Sequence, residues 1–153
     1  FRYYDGIPDN NLKSGWNHTT NIGLTKTWKR FRGNINYTTG RMSAKEDWYS
    51  YKGDRVDMSL TTDYGIGSTT LFKSFTKNNY EEASTAINPF IERRDVINNY
   101  GVSWSIGLKN WDVPQAKEPI LTVYYSQGSN LSNLVNYKRD DNREWMLSIS
   151  QNF

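Results

Sequence analysis

Trp145-Met146-Leu147-Ser148-Ile149-Ser150-Gln151-Asn152-Phe153 closes the sequence with large apolar residues alternating against small or polar ones. A period of two places successive side chains on opposite faces of an extended chain, so the stretch reads as a β-strand. Trp145, Leu147, Ile149 and Phe153 share one parity, and Glu144, Met146, Ser148, Ser150 and Asn152 share the other. Gln151 interrupts the apolar set. Chain ends usually fray, so a strand patterned up to a terminal aromatic needs a physical reason.

The same rhythm runs back through the chain, and no stretch carries a helical period. Strands are predicted near residues 17–28, 31–39, 51–64, 68–77, 96–109, 120–127 and 142–153. Residues 99–109 are the clearest: Tyr100, Val102, Trp104, Ile106 and Leu108 oppose Asn99, Gly101, Ser103, Ser105, Gly107 and Lys109. Val56, Met58, Leu60, Thr62 and Tyr64 oppose a fully polar set, Arg55, Asp57, Ser59, Thr61 and Asp63. Phe31, Gly33, Ile35 and Tyr37 oppose Arg32, Asn34, Asn36 and Thr38. Ile22, Leu24 and Trp28 oppose Asn21, Gly23, Thr25 and Thr27, with Lys26 on the apolar side. Residues 68–77 and 120–127 carry apolar side chains on both parities, so the pattern does not orient them.

Composition narrows the class further. The chain holds no cysteine, which removes disulfide frameworks and thiolate metal sites. No run approaches the ~20 apolar residues of a membrane-spanning helix. Transmembrane strands alternate lipid-facing and lumen-facing residues, so a barrel embedded in a membrane is only moderately hydrophobic; 36% hydrophobic residues with 11 Tyr and 6 Trp fit that pattern. A net charge of +3, scattered among the aromatics without an RNA-binding motif, gives no sign of nucleic acid.

Alternation alone is blind to whether the apolar face points inward or outward. Trp28, Tyr51, Tyr64, Tyr100, Trp111 and Trp145 fall near predicted strand ends, where a ring can meet a bilayer edge while its polar atom reaches water. Connection lengths alternate as well. They are short at Lys29-Arg30, at Gly65-Ile66-Gly67 and, somewhat longer, at 111–119, and long and polar at 40–49, 78–93 and 127–141. Short periplasmic turns against long external loops are the habit of outer-membrane barrels. The expected fold is therefore all-β, an antiparallel up-and-down transmembrane β-barrel with seven to eight strands, occupying residues 1–153 as one domain. Single-chain bacterial barrels have even strand numbers. Seven visible strands, with Phe1-Arg2-Tyr3-Tyr4 as the end of another, suggest the C-terminal part of a larger barrel, its N-terminal part lying upstream; an eight-stranded barrel is the other arrangement.

The final strand, with its terminal Phe153, resembles the C-terminal strand by which bacterial outer-membrane barrels are recognised by their assembly machinery. That resemblance makes Trp145, Leu147, Ile149 and Phe153 an assembly signal. From about residue 91 onward the layout resembles one family more closely. Arg94-Asp95 opens an alternating strand, and Pro119 opens the next, through Ile120-Leu121-Thr122-Val123-Tyr124-Tyr125. Ser129-Asn130 or Ser132-Asn133, then Tyr137-Lys138-Arg139, lead into the final strand. This resembles the barrel of the surface lipoprotein assembly modulators, which join a periplasmic tetratricopeptide domain to an outer-membrane barrel. The resemblance implies an outer-membrane location, a periplasmic domain upstream, and transfer of lipoprotein cargo to the cell surface. Related layouts occur in exopolysaccharide export barrels, and a small structural or adhesive barrel is the alternative from a different class.

The polar parities supply the candidate site. Arg32, Asn34, Asn36, Arg55, Asp57 and Asp63 would project from adjacent strands into one lumen, where opposite charges can pair across strands. A wide lumen would make them a conduit and a narrow one a polar plug. An enzymatic site is not expected: His18 is the single histidine, with Thr19 and Thr20 beside it but no serine motif to activate. Glu81-Glu82 and Asp140-Asp141 could offer oxygen ligands to a hard cation, yet they read better as solvated loop charge. No cofactor or metal is called for.

Overall fold

The computed structural model describes residues 13–84, 87–108 and 117–152. Seven strands form one sheet in the order β1-β2-β3-β4-β5-β6-β7, each antiparallel to the next: β1 Gly15–Trp28, β2 Phe31–Ala44, β3 Tyr51–Asp63, β4 Gly67–Ala83, β5 Glu92–Gly107, β6 Lys117–Ser132 and β7 Arg139–Asn152. Each strand pairs with its sequence neighbour because a short hairpin costs little chain entropy to close. The first turn, Lys29-Arg30, puts Lys29 at φ 51°, the left-handed geometry that matches the twist of the flanking strands. Gly65, at φ 85°, serves the second turn.

The expected closed barrel is corrected in one respect. The described strands form an open meander, and β1 and β7 do not pair with each other. The reason is one of parity: with seven alternating strands, β1 and β7 run in the same direction, so joining them needs a parallel seam rather than another antiparallel ladder. Phe1 to Tyr4, Trp111 and Phe153 lie outside the described residues.

Five of the seven strands extend further into the long connections than their hydrophobic pattern indicates. β2 continues to Ala44, β4 to Ala83 and β6 to Ser132, while β5 begins at Glu92 and β7 at Arg139. These extensions are mostly polar, as at Asn78-Asn79, and their few apolar residues do not alternate regularly enough to mark a strand. The long connections shrink to residues 45–50, 84–91 and 133–138. Two are pinned by single side chains. Ser50, 2% exposed, accepts the Ala44 N–H on its hydroxyl at 2.8 Å, and its carbonyl accepts the Glu81 N–H. The Asn133 side chain accepts the Arg94 N–H at 2.7 Å and donates to the Glu92 carbonyl at 2.8 Å, continuing the β5 ladder past the end of β6.

Register sorts the two faces. One row runs Gly33, Leu60, Leu71, Val102, Tyr125, Trp145 across β2 to β7. The opposite face carries the row Asn36, Asp57, Ser74, Asn99, Gly128, Asn142. Among the described residues Met42 and Leu134 are the buried hydrophobics, while Leu24 is 76%, Ile35 56% and Leu71 55% exposed. Over the central strands the polar face is the more sheltered: Asn34, Asn36, Ser59 and Ser74 are half-buried and Ser126 is buried. The described residues form no apolar core between layers.

Candidate functional site

Arg32, Asn34 and Asn36 on β2 and Arg55, Asp57 and Asp63 on β3 stand on the same polar face, by the pairings Arg32↔Thr61, Asn34↔Ser59 and Asn36↔Asp57. Their charges pair along a strand rather than across strands. The Arg55 guanidinium donates from Nε to both Asp57 oxygens, at 2.9 and 2.8 Å, because residues two apart project together. Asp63 is engaged at the turn, where its carboxylate accepts the Gly65 N–H at 2.9 Å. Asn34 donates to Thr25 at 2.8 Å, and Thr61 and Thr70 share a hydroxyl hydrogen bond at 2.9 Å, so the polar face is stitched from strand to strand by short neutral groups.

Three of the four carboxylates considered for cation binding are engaged with bases. Glu81 meets Arg41 at 2.8 Å, Asp140 meets Lys138 at 3.2 Å and Asp141 meets Arg143 at 2.8 Å.

A second constellation, not visible in the sequence, lies at the long-connection end of the polar face. Asp95 is 1% exposed and is gripped by Arg93, whose Nε donates to it at 3.0 Å while Nη2 bonds its other oxygen. The Arg93 guanidinium is sandwiched between two rings, 3.5 Å from the Tyr137 centroid and 4.4 Å from that of Tyr80. Delocalised and weakly hydrated, a guanidinium tolerates such stacking where an ammonium would not. Tyr51 leans on Tyr80 with centroids 5.3 Å apart, so Tyr51 belongs to this polar-face cluster and not to the aromatic belt expected for it. Burial pushes the Tyr80 phenol, which lies beyond the apolar rows, up to about 12. Tyr51, Tyr80, Arg93 and Tyr137, with Met42, Tyr49 and Lys13, line an open-mouthed cavity of about 280 Å³.

Sequence reading passed over this cluster because its members come from β3, β4, β5 and two connections. The available signal was parity: Arg93 and Asp95 are two apart and share a face, whereas the Arg94-Asp95 dipeptide points two ways.

On the apolar face, Trp145, Leu147 and Ile149 are 71%, 70% and 66% exposed, and the Trp145 ring lies 4.4 Å from that of Tyr125. At the short-turn end Trp28 and Phe31 stack at 6.2 Å, with the Lys29 amine 5.6 Å from the Trp28 ring centre and the Arg30 guanidinium 5.7 Å from that of Phe31. No family model, curated protein or solved structure matches the chain.

Proposed function

We propose that the sheet is part of an outer-membrane β-barrel that passes lipoprotein or other macromolecular cargo to the cell surface. One observation carries the membrane reading: the apolar face is the exposed one and the polar face the sheltered one. A sheet that packs on a second sheet in water does the reverse, presenting its polar face to solvent. A continuous apolar surface of this extent calls for a partner, and a bilayer is the partner that matches its aromatic and cationic border at Trp28, Lys29, Arg30 and Phe31.

Open edges cannot persist in lipid, where each unpaired N–H and C=O lacks water. Closing an all-antiparallel barrel around this sheet takes an odd number of further strands, because β1 and β7 run the same way. The assembly machinery would hold the β7 edge until that closure. A barrel of more than about eight strands encloses a channel rather than a packed interior. Arg32, Asn34, Asn36, Arg55 and Asp57 would then line the path of the cargo, delivered by a periplasmic domain.

Single cysteines at Val102, Trp104 and Ile106, compared with Ser103 and Ser105, test the membrane reading. A lipid-confined label should reach only the first three; equal or inverted access rejects it. Translocation is tested separately by reversing Arg55 and Asp57 in the intact protein, with surface display of cargo as the readout. Unchanged display would leave a structural barrel.

A further inference from the structure

We propose that the tyrosine-lined cavity at the long-connection end is a binding site for a pyranose sugar carrying one anionic group. The inference stands on the geometry of the cavity and does not depend on the membrane reading.

At about 280 Å³ the cavity sits at the small end of ligand pockets, the size of a single sugar ring rather than an oligomer or an acyl chain. Tyr49, Tyr51, Tyr80 and Tyr137 supply its walls. Arg93 takes one face of Tyr80 and one of Tyr137, leaving Tyr49 and Tyr51 as the ring walls for the polarised C–H face of a pyranose, while phenols offer both a donor and an acceptor to its hydroxyls. None of these four phenols is hydrogen-bonded to another described side chain, although all four residues are half-buried. Their phenol oxygens are not buried and can exchange water for the hydroxyls of a ligand.

Charge selects the anion. Arg93 is offset by Asp95, which occupies its Nε and Nη2. Lys13, whose amine lies 5.2 Å from the Tyr49 ring centre, has no carboxylate partner among the described residues and leaves the cavity net positive. A bare inorganic anion would meet that charge but leave the rings unused. A neutral sugar would use the rings but leave Lys13 unanswered. The anionic pyranose uses both.

The test is ligand-observed saturation-transfer NMR on the full chain in micelles, with glucuronate, glucose and inorganic phosphate as probes. Glucuronate should bind saturably, glucose about tenfold more weakly and phosphate not measurably. Lys13→Gln should lower glucuronate to the level of glucose. Tyr49→Ala should weaken both sugars about tenfold or more, while Tyr49→Phe, which keeps the stacking ring and the fold, should retain most of the binding. Absence of saturable glucuronate binding overturns the proposal, as does wild-type affinity in Tyr49→Ala. Phosphate binding as strongly as glucuronate reduces the cavity to an anion site and overturns the sugar assignment.

Discussion

Phe72 on β4 and Tyr124 on β6 lie parallel on the polar face, their ring centroids 5.4 Å apart and their planes 7° apart, although β5 runs between their strands. Gly101 makes the contact possible. It pairs with Phe72 on one side and Ser126 on the other, and a Cβ there would stand 2.6 Å from the Phe72 ring and closer still to the Tyr125 carbonyl oxygen. A side chain at this point would have to displace both an aromatic ring and the backbone of the next strand.

Gly101→Ala should therefore destabilise the folded protein by about 1–3 kcal/mol, the usual cost of overpacking. Ser103→Ala, two residues along the same face, should stay within about 0.5 kcal/mol. Urea unfolding followed by tryptophan fluorescence separates the two. Equal effects would mean that the strands slide to accommodate the new methyl.

The Arg93–Asp95 and Arg55–Asp57 pairs have the same i, i+2 geometry and opposite surroundings. Arg93 and Asp95 are 18% and 1% exposed, whereas Arg55 and Asp57 are 54% and 32%. Asp95→Asn leaves a sheltered guanidinium unanswered and should cost roughly 3–5 kcal/mol. Asp57→Asn should cost about 0–1 kcal/mol, screened by solvent. Arg93→Lys should approach the loss seen for Asp95→Asn, since an ammonium provides neither the fork nor the stack. A double-mutant cycle at each pair reads the difference.

Lys73 stands on the apolar face, between Met58 on β3 and Tyr100 on β5, and is exposed. If that face meets hydrocarbon, Lys73→Leu should raise stability in lipid by about 2–4 kcal/mol, with less gain the nearer the residue lies to an interface. In water the same change should be worth under about 0.5 kcal/mol. Comparing unfolding midpoints in bilayers and in micelles gives the answer, and a destabilised Lys73→Leu in bilayers would place an anionic partner at this site.

If β7 inserts in a bilayer as proposed, Ile149→Lys should slow insertion and weaken the product, at a cost of about 2–4 kcal/mol near mid-depth. Ser148→Lys, on the polar face, should be tolerated, and removing Phe153 should slow insertion more than it weakens the finished protein. Heat-modifiable gel migration alongside periplasmic accumulation reports both. If Ser148→Lys fails as badly as Ile149→Lys, β7 does not divide into a lipid face and a polar face, and the assignment of its faces is wrong.

What the sequence made legible follows from where the pattern has contrast. Arg55 to Thr61 and Asn99 to Gly107 set apolar residues against small or polar ones at every step, and their strands and faces can be read directly. Phe72 and Tyr124 obscured their own strands because an aromatic residue on the polar face cancels the alternation, and only the stack between them explains why they are there. Asn78, Asn79, Ser129 and Asn130 extend strands that are polar on both sides, where hydrogen bonding alone maintains the ladder. The tyrosine cluster was illegible for a further reason: Tyr49, Tyr80, Arg93 and Tyr137 meet only once the register of four ladders is known.

Strictly sequential pairing of β1 through β7 also sets the grain along which such a sheet can change over evolutionary time. Every ladder joins neighbours in sequence, so a hairpin can be duplicated or lost with two new edges healing against each other and every remaining strand keeping its direction. A single strand cannot, because everything downstream would be turned upside down relative to what precedes it. The heritable unit of growth is therefore the pair, and relatives of this sheet should differ in width by even numbers of strands.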